Sequence, residues 1–103
     1  REQHAMQLDA WRTVQRGHAI ANGVYVAAVN RAGRERELEF WGHSFAVGPQ
    51  GEFLAEARDE RDHVMVVNCS RQRPVETRNI WPYFRDRRVD LYAPLGRLSL
   101  PNP

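Results

Sequence analysis

The 103-residue chain has no lysine, one cysteine and no long hydrophobic run. A single cysteine, Cys69, excludes a disulfide within the chain and any metal site built from several cysteines. No apolar stretch approaches the length of about 20 residues that is needed to cross a bilayer, and the N-terminus lacks the pattern of a signal peptide. We therefore expect a cytoplasmic protein without a membrane partner. Because the chain opens at Arg1 and enters a helical pattern almost at once, we expect the natural start to lie upstream.

Positive charge comes from arginine alone, with 15 arginines against 13 acidic residues and a formal net charge of +2. The two signs are interleaved in residues 34–39, 58–62 and 85–90. Nucleic-acid-binding proteins usually gather basic residues on one face, whereas mixed segments are typical of solvated, ion-paired surfaces. We therefore expect no nucleic-acid partner. A noncatalytic, arginine-rich interaction or RNA-binding module is the alternative from another functional class.

The length allows one small domain at most, and the first part of the chain predicts a helix followed by a strand. Apolar residues spaced by three or four predict a helix over residues 8–21, with His18 packed on its buried face and Asn22-Gly23 at its end. Gly17 inside this helix predicts the close approach of another backbone. Residues 24–29 are apolar on both faces, which is typical of a strand covered on both sides of its sheet.

Residues 40–51 combine two aromatic residues, a Gly-His-Ser corner and a Gly-Pro-Gln-Gly turn. Pro49 at the second place of the turn and Gly51 at the fourth favour a chain reversal. The segment therefore predicts a strand over residues 44–47 that reverses into another over residues 53–55. The charged residues before it, 30–38, are predicted to form a solvent-facing loop.

The last third of the chain carries a second apolar run and a second helical pattern. Residues 64–67 predict another buried strand. Ser70 is a suitable N-cap for a helix that has Pro74 in its first turn, contains Trp81 and is ended by Trp81-Pro82. Because both apolar strands need covering layers, the predicted fold class is α/β.

Three polar side chains are candidates for contact with a substrate. His43 and Ser44 stand at a corner beside a rigid strand, a common place for substrate contacts. A polar turn that satisfies local backbone groups explains these two residues equally well. Asp9 is a candidate partner for a cationic group, although a carboxylate near the front of a helix is commonly explained by the helix dipole.

The sequence shows no complete catalytic or metal-binding set. No acid and histidine near Ser44 complete a hydrolase triad, and Cys69 follows an apolar run without an activating group close in sequence. The histidines also lack metal-ligand spacing; they are His4, His18, His43 and His63. We therefore assign no catalytic residue, no metal ligand and no cofactor to these residues.

Several segments resemble the C-terminal part of the nitrilase superfamily of carbon–nitrogen hydrolases. Residues 16–26 are similar to a helix that runs into a core strand in that superfamily, and residues 40–51 to the strand and turn that follow. Within the superfamily, residues 8–11, 40–45 and above all 84–92 (Phe-Arg-Asp-Arg-Arg-Val-Asp-Leu-Tyr) resemble the N-carbamoylputrescine amidase family. The resemblance runs from about residue 8 to residue 92.

This resemblance implies that residues 1–103 are a partial domain, the C-terminal portion of a four-layer αββα sandwich that assembles as a homo-oligomer. It implies hydrolysis of a small carbamoyl amine, N-carbamoylputrescine, to putrescine, carbon dioxide and ammonia in polyamine biosynthesis from agmatine, without a cofactor. The family uses a glutamate base, a cysteine nucleophile and a lysine. With no lysine and with Cys69 outside the nucleophile motif, no catalytic role transfers to this chain. The triad is expected upstream, and the chain alone is expected to be inactive.

By the same analogy, residues 4–9 and the corner at residues 42–44 would border the substrate pocket. Asp9, His43 and Ser44 are accordingly the predicted substrate-binding residues. The alternative within the superfamily is an amidase that acts on an N-carbamoyl amino acid or an aliphatic amide. Arginines that bind a carboxylate would favour that alternative, whereas acidic residues would favour the amine substrate.

Overall fold

The computed structural model describes residues 2–59 and 61–99. In chain order the elements are α1 (Glu2–Asn22), β1 (Val26–Ala28), β2 (Ala32–Glu35), β3 (Leu38–Trp41), β4 (Phe45–Val47), β5 (Phe53–Glu56), α2 (Gln72–Ile80) and two short 3₁₀ helices, Val89–Leu91 and Ala93–Gly96. Three strands form one antiparallel sheet in the order β1–β4–β5, and β2 and β3 form a separate antiparallel hairpin. This mixture of helices and strands confirms the predicted α/β class.

The end of α1 is a glycine cap at the predicted place. Gly23 has φ = 59°, a left-handed conformation that glycine adopts without a steric penalty. Its N–H donates to the Ile20 carbonyl at 3.3 Å, and the Val24 N–H donates to the Ala19 carbonyl at 3.1 Å. These two bonds form a Schellman motif, which satisfies carbonyls that the last turn would otherwise leave open.

The buried face of α1 differs from the predicted one. Ala19 is fully buried and Trp11 packs against the core, but Val14 is 53% exposed and His18 is exposed. The prediction that His18 packs in the core is therefore wrong. The apolar spacing was misleading because arginines occupy part of the side of the helix that faces the sheet.

Those arginines join α1 to β5 and to the turn before it. Arg12 forms an ion pair with Glu56, and the guanidinium groups of Arg12 and Arg16 lie 4.7 and 4.9 Å from the centre of the Phe53 ring. Arg16 Nε also donates to the Gly51 carbonyl at 2.8 Å. Charge on this face of the helix is therefore compensated by a carboxylate, a carbonyl and an aromatic face.

A small core lies between α1 and the three-stranded sheet. The Trp11 ring meets Phe45 edge-on at 5.3 Å, and Phe45 meets Phe53 at 5.6 Å, which are favourable aromatic geometries. The buried members of this core are Ala19, Ala28, Phe45 and Val47, with Trp11 and Val26 partly buried against them.

β1 is covered on one side only. Ala28 is 5% exposed, but Ala27 is exposed and Val29, just beyond the strand, is 89% exposed. The prediction of a strand covered on both sides is therefore not met within the described chain. Gly17 likewise has no atom of another part of the described chain within 4 Å of the place of a Cβ, so the predicted close backbone approach is also missing there.

The chain reversal predicted around Pro49 is confirmed. The Gly51 N–H donates to the Gly48 carbonyl at 2.9 Å, and Gly51 has φ = 77°. β4 and β5 pair on either side of this turn with a register shift between Ala46 and Val47. A Cβ at Gly51 would lie 2.8 Å from the Ile20 side chain, so the turn also packs closely on α1.

Two other predictions, one of a loop and one of a strand, are wrong. Residues 30–38, predicted as a loop, supply β2 and part of β3, whose outward side chains are charged and pair across the hairpin, as Arg34 and Glu39 do. Residues 64–67, predicted as a buried strand, are in no strand. Val64 and Val66 are 96% and 90% exposed, because no neighbouring strand of the described chain covers them.

α2 follows at the predicted place and ends at Ile80, with Trp81, the residue before Pro82, as its C-cap. Arg71 is its N-cap by position, while the predicted cap, Ser70, accepts the Gln72 N–H through its hydroxyl at 3.2 Å. The Tyr25 hydroxyl holds the start of this region by bonding both the N–H and the carbonyl of Ser70, at 2.9 and 3.1 Å. Neither helix of the described residues is long and apolar enough to cross a membrane.

Candidate functional site

The corner between β3 and β4 has an unusual backbone. Gly42 has φ = 63° and His43 has φ = 59°. Glycine tolerates this left-handed region, whereas a residue with a side chain is uncommon there and costs about 1–2 kcal/mol. His43 Nδ1 hydrogen-bonds with the Trp41 carbonyl, which fixes the half-buried imidazole at the corner. Two consecutive left-handed residues turn the chain sharply from the hairpin into the three-stranded sheet.

Ser44 is held in a tight polar network with Asn30. The Ser44 hydroxyl accepts the Asn30 N–H at 2.8 Å and donates to the Asn30 carbonyl at 3.3 Å. Asn30 Nδ2 donates to the Gly42 carbonyl at 2.9 Å, and the Gly42 N–H donates to the Arg31 carbonyl at 3.0 Å. This network ties the chain after β1 to the chain before β4.

Asn30 is the member of this network that sequence reasoning missed. The only local signal was its place directly after an apolar run, since asparagine side chains there often bond nearby backbone groups. Its actual partner, Gly42, lies twelve residues away, and only the hairpin between them brings the two together. The geometry supports the bracing role considered for Ser44, because one donor and one acceptor position of its hydroxyl are used.

His43 and Ser44 line a cleft of about 330 Å³ that opens beside this network. Asn30 and Ala57 form part of its walls, and Asp62 and His63 approach from the segment after β5. The volume falls within the range of small-molecule sites, about 300–1,000 Å³. The structure thus brings two of the three predicted site residues into one cavity.

Asp9 is the predicted site residue that lies elsewhere. It is exposed on α1 and is not among the residues that line this cleft. The first turns of α1 do reach the corner through His4, whose ring centre lies 6.2 Å from the Trp41 ring at an interplanar angle of 70°. Trp41 Nε1 is buried without a hydrogen-bond partner in the described chain.

The basic side chains of the cleft are already paired within the chain. Arg31 forms an ion pair with Glu35 and lies 4.3 Å from the centre of the Phe40 ring. Arg61 donates to Asp59 at 2.7 and 3.0 Å. Arg31 and Arg61 therefore carry no uncompensated positive charge into the cleft.

Asp59 is held as a carboxylate beside the cleft. The hydrogen bonds from Arg61, followed by that from His63, hold the pKa of Asp59 far below its ordinary value. His63 Nε2 lies 2.6 Å from the other oxygen of this carboxylate. Asp59 therefore stays ionised throughout the physiological pH range and balances Arg61.

The described residues contain no complete nucleophile or metal site. Cys69 is exposed on the irregular segment before α2, since the predicted strand over residues 64–67 that would precede it does not form. Among the described residues, no group of three or more histidine, cysteine and acidic side chains is placed to hold a metal ion. The residues that line the cleft therefore offer hydrogen-bonding and charged groups, but they do not supply a set of reacting groups.

Comparison with known proteins places the chain in a family. The carbon-nitrogen hydrolase model matches residues 1–79. The crystal structure of a carbon-nitrogen hydrolase from Helicobacter pylori G27 matches with a TM-score of 0.87 and 40% identity, over 93% of this chain and 35% of that one. The match shows an α/β fold of the nitrilase type, as predicted. The chain belongs to the carbon–nitrogen hydrolase family.

Curated relatives include amidases with different names. An N-carbamoylputrescine amidase of Solanum tuberosum is 41% identical over an alignment of 103 positions that covers 92% of this chain and 34% of that protein. An ω-amidase of Homo sapiens is 39% identical over 85 residues, 81% of this chain and 30% of that protein. The chain thus spans about a third of the length of the relatives that it matches.

Proposed function

We propose that the protein carrying this chain hydrolyses N-carbamoylputrescine to putrescine, carbon dioxide and ammonia. The observation that carries the proposal is the 41% identity to the N-carbamoylputrescine amidase of Solanum tuberosum, which extends over 92% of this chain. The similarity to the ω-amidase extends over 81% of this chain. A part in polyamine biosynthesis, assembly as a homo-oligomer and a cytoplasmic location stay predictions.

The reacting groups of such an enzyme are proposed to come from outside residues 1–103. Cleavage of a carbamoyl C–N bond by the route expected from the family needs a thiolate nucleophile, a general base and a cation that stabilises the tetrahedral intermediate. The chain has no lysine and its exposed Cys69 is not placed beside the cleft. The part proposed for this chain is to form one wall of the substrate pocket, with His43 and Ser44 as predicted contacts in the cleft and Asp9 as a predicted contact from outside it.

The second candidate function is an amidase whose substrate carries a carboxylate instead of an ammonium group. Its support is the ω-amidase relative and a 2-oxoglutaramate amidase of Paenarthrobacter nicotinovorans, 33% identical over 91 residues. The two candidates differ in the charge at the end of the substrate that does not react.

The test is a substrate comparison with the protein produced from its native gene. Ammonia release is measured with N-carbamoylputrescine, N-carbamoyl-β-alanine and 2-oxoglutaramate at equal concentrations. We expect kcat/KM for N-carbamoylputrescine to exceed the other two by at least tenfold. A preference for either carboxylate substrate would reject the first candidate in favour of the second.

A further inference from the structure

The cleft beside the Gly42-His43 corner contains one acidic side chain that no described basic residue neutralises. Asp62 lines this cleft and is exposed, and it has no ion pair within residues 2–59 and 61–99. The cleft also contains Arg31 and Arg61, but each already has a carboxylate partner. With these pairs balanced, the described side chains leave the cleft one uncompensated negative charge.

We propose that Asp62 is a specificity-determining residue that binds the ammonium end of the substrate. The inference rests on the proposed function and deepens it, because it explains why the protein would take a carbamoylated amine instead of a carboxylate-bearing amide. A carboxylate attracts an ammonium group and repels another carboxylate, so one unpaired acid at the wall of a pocket discriminates by charge.

The rest of the cleft suits the uncharged stem of such a substrate. Val29, Ala32 and Ala57 contribute apolar surface to its walls, which a short methylene chain would cover with a gain of hydrophobic energy. The Ser44 hydroxyl is engaged with Asn30 and is less available for the ligand. Asp62 is therefore the side chain in the cleft with a free charge for an ammonium group.

A carboxylate ligand would meet a less favourable cleft. At Arg31 or Arg61 it would meet a guanidinium group whose charge is already balanced by Glu35 or Asp59. Asp59 is held in place by two hydrogen-bonding partners, Arg61 and His63. The arginines therefore do not make the cleft a carboxylate site, although their number alone would suggest it.

The experiment compares Asp62→Asn with the unmodified protein from its native gene on two substrates of equal length. N-Carbamoylputrescine carries the ammonium group, and pentylurea has a methyl group in its place. Because an exposed charge pair contributes about 0.2–1 kcal/mol, the substitution is expected to raise KM for N-carbamoylputrescine by about 1.4- to fivefold. We expect kcat for both substrates and KM for pentylurea to stay unchanged.

Three comparisons make this result specific. Asp62→Glu should restore the low KM, since it restores the charge. Asp86→Asn is the matched control, because Asp86 pairs with the neighbouring Arg85 outside the cleft, and it should leave KM unchanged. The difference between the unmodified protein and Asp62→Asn should also shrink at 1 M salt, where charges are screened within about 3 Å.

An unchanged KM for N-carbamoylputrescine in Asp62→Asn would overturn this inference while leaving the proposed function intact. So would an equal rise in KM for pentylurea, which would indicate a loss of packing and not of charge. A rise in KM for N-carbamoylputrescine that is found only in Asp9→Asn would assign the ammonium contact to α1 instead. If the unmodified protein hydrolyses 2-oxoglutaramate but not N-carbamoylputrescine, the proposed function fails first, and the role of Asp62 fails with it.

Discussion

Ser44 shows how a single hydroxyl holds the corner of the candidate site. Its two hydrogen bonds to the Asn30 backbone lie in a partly buried place where water does not fully replace them. The Ala57 N–H donates to the Ser44 carbonyl at 2.8 Å, so backbone and side chain of one residue join β1, β4 and the chain after β5. The residue acts through structure whether or not a substrate also touches it.

We predict that Ser44→Ala destabilises the protein by about 1–3 kcal/mol, because it leaves a partly buried Asn30 N–H without its partner. The shift in the urea midpoint measures the effect. The matched control is Ser70→Ala, which removes a single, longer bond to the exposed Gln72 N–H and should cost less. Equal losses in the two variants would contradict a bracing role for Ser44.

At this scale the sequence could predict the kind of residue but not its partner. A Gly-His-Ser sequence predicts polar groups at a turn, and both His43 and Ser44 line the cleft. Asn30 and Asp62 went unnoticed because their relevance depends on contacts made across twelve or more residues. Asp9 was predicted as a partner for a cationic group and by analogy with the family, and neither argument carries information about which cavity of this chain the helix faces.

Among the elements, α2 is fastened to the sheet by one ion pair between Arg73 and Glu52. Burial acts to raise the pKa of Glu52, but its own backbone N–H, Arg73 and the Gln50 N–H outweigh burial and lower the pKa below its ordinary value of 4.5. The Gln50 N–H donates to Glu52 Oε2 at 3.1 Å. One carboxylate therefore supports both the turn around Pro49 and the attachment of α2.

The lowered pKa of Glu52 predicts how the attachment of α2 depends on pH. A group whose pKa is lower in the folded state stabilises that state above its unfolded pKa, here about 4.5, and loses this contribution as the pH falls through the folded value. We expect amide exchange in α2, compared at equal intrinsic rate, to become faster below about pH 4.5. Other carboxylates titrate in the same range, so the comparison is with Glu52→Gln.

In Glu52→Gln the exchange of α2 should already be faster at pH 6 and should change less on acidification. Arg73→Gln should give the same pattern, since it removes the other half of the pair. If acid affects α2 equally in the unmodified protein and in Glu52→Gln, the pair does not hold the helix.

The elements that sequence reasoning placed correctly are those with local signals. The Asn22-Gly23 cap, the Pro49 turn and the stop at Trp81 all follow from backbone preferences of one or two residues. The hairpin of β2 and β3 was missed because β2, Ala-Gly-Arg-Glu, has little apolar character and no apolar alternation marks it. The buried face of α1 was predicted incorrectly because arginines with specific partners, and not only apolar residues, occupy the side of the helix that packs on the sheet.

For the molecule as a whole, the described chain is flat. Its Cα radius of gyration is 17.8 Å and its dimensions are 50 × 42 × 20 Å, whereas a compact domain of 100 residues has a radius of about 13 Å. The buried hydrophobic residues are few and mostly small: Ala19, Ala28, Phe45, Val47 and Ala57. The expectation that apolar strands need covering layers was sound as physics, but the described residues do not provide those layers.

This small core predicts that the 103-residue chain, produced by itself, has a low enthalpy of unfolding and no sharp unfolding transition. A compact domain of 100 residues absorbs about 60–80 kcal/mol at its midpoint, and most of that enthalpy accompanies the loss of a packed core. With so small a core, calorimetry should give a broad transition of well under half that enthalpy. Exposed groups such as Val29 and Val64, 89% and 96% accessible, should bind an apolar dye before heating.

The control is Phe45→Ala, which removes the largest member of the core. Truncation of a buried phenylalanine costs about 3–5 kcal/mol in a well-packed protein, so the variant should lose the remaining transition altogether. A sharp transition near 70 kcal/mol in the unmodified chain, with no dye bound, would show that these residues close a core of their own. The flat arrangement of α1 and the sheet would then not represent the chain in solution.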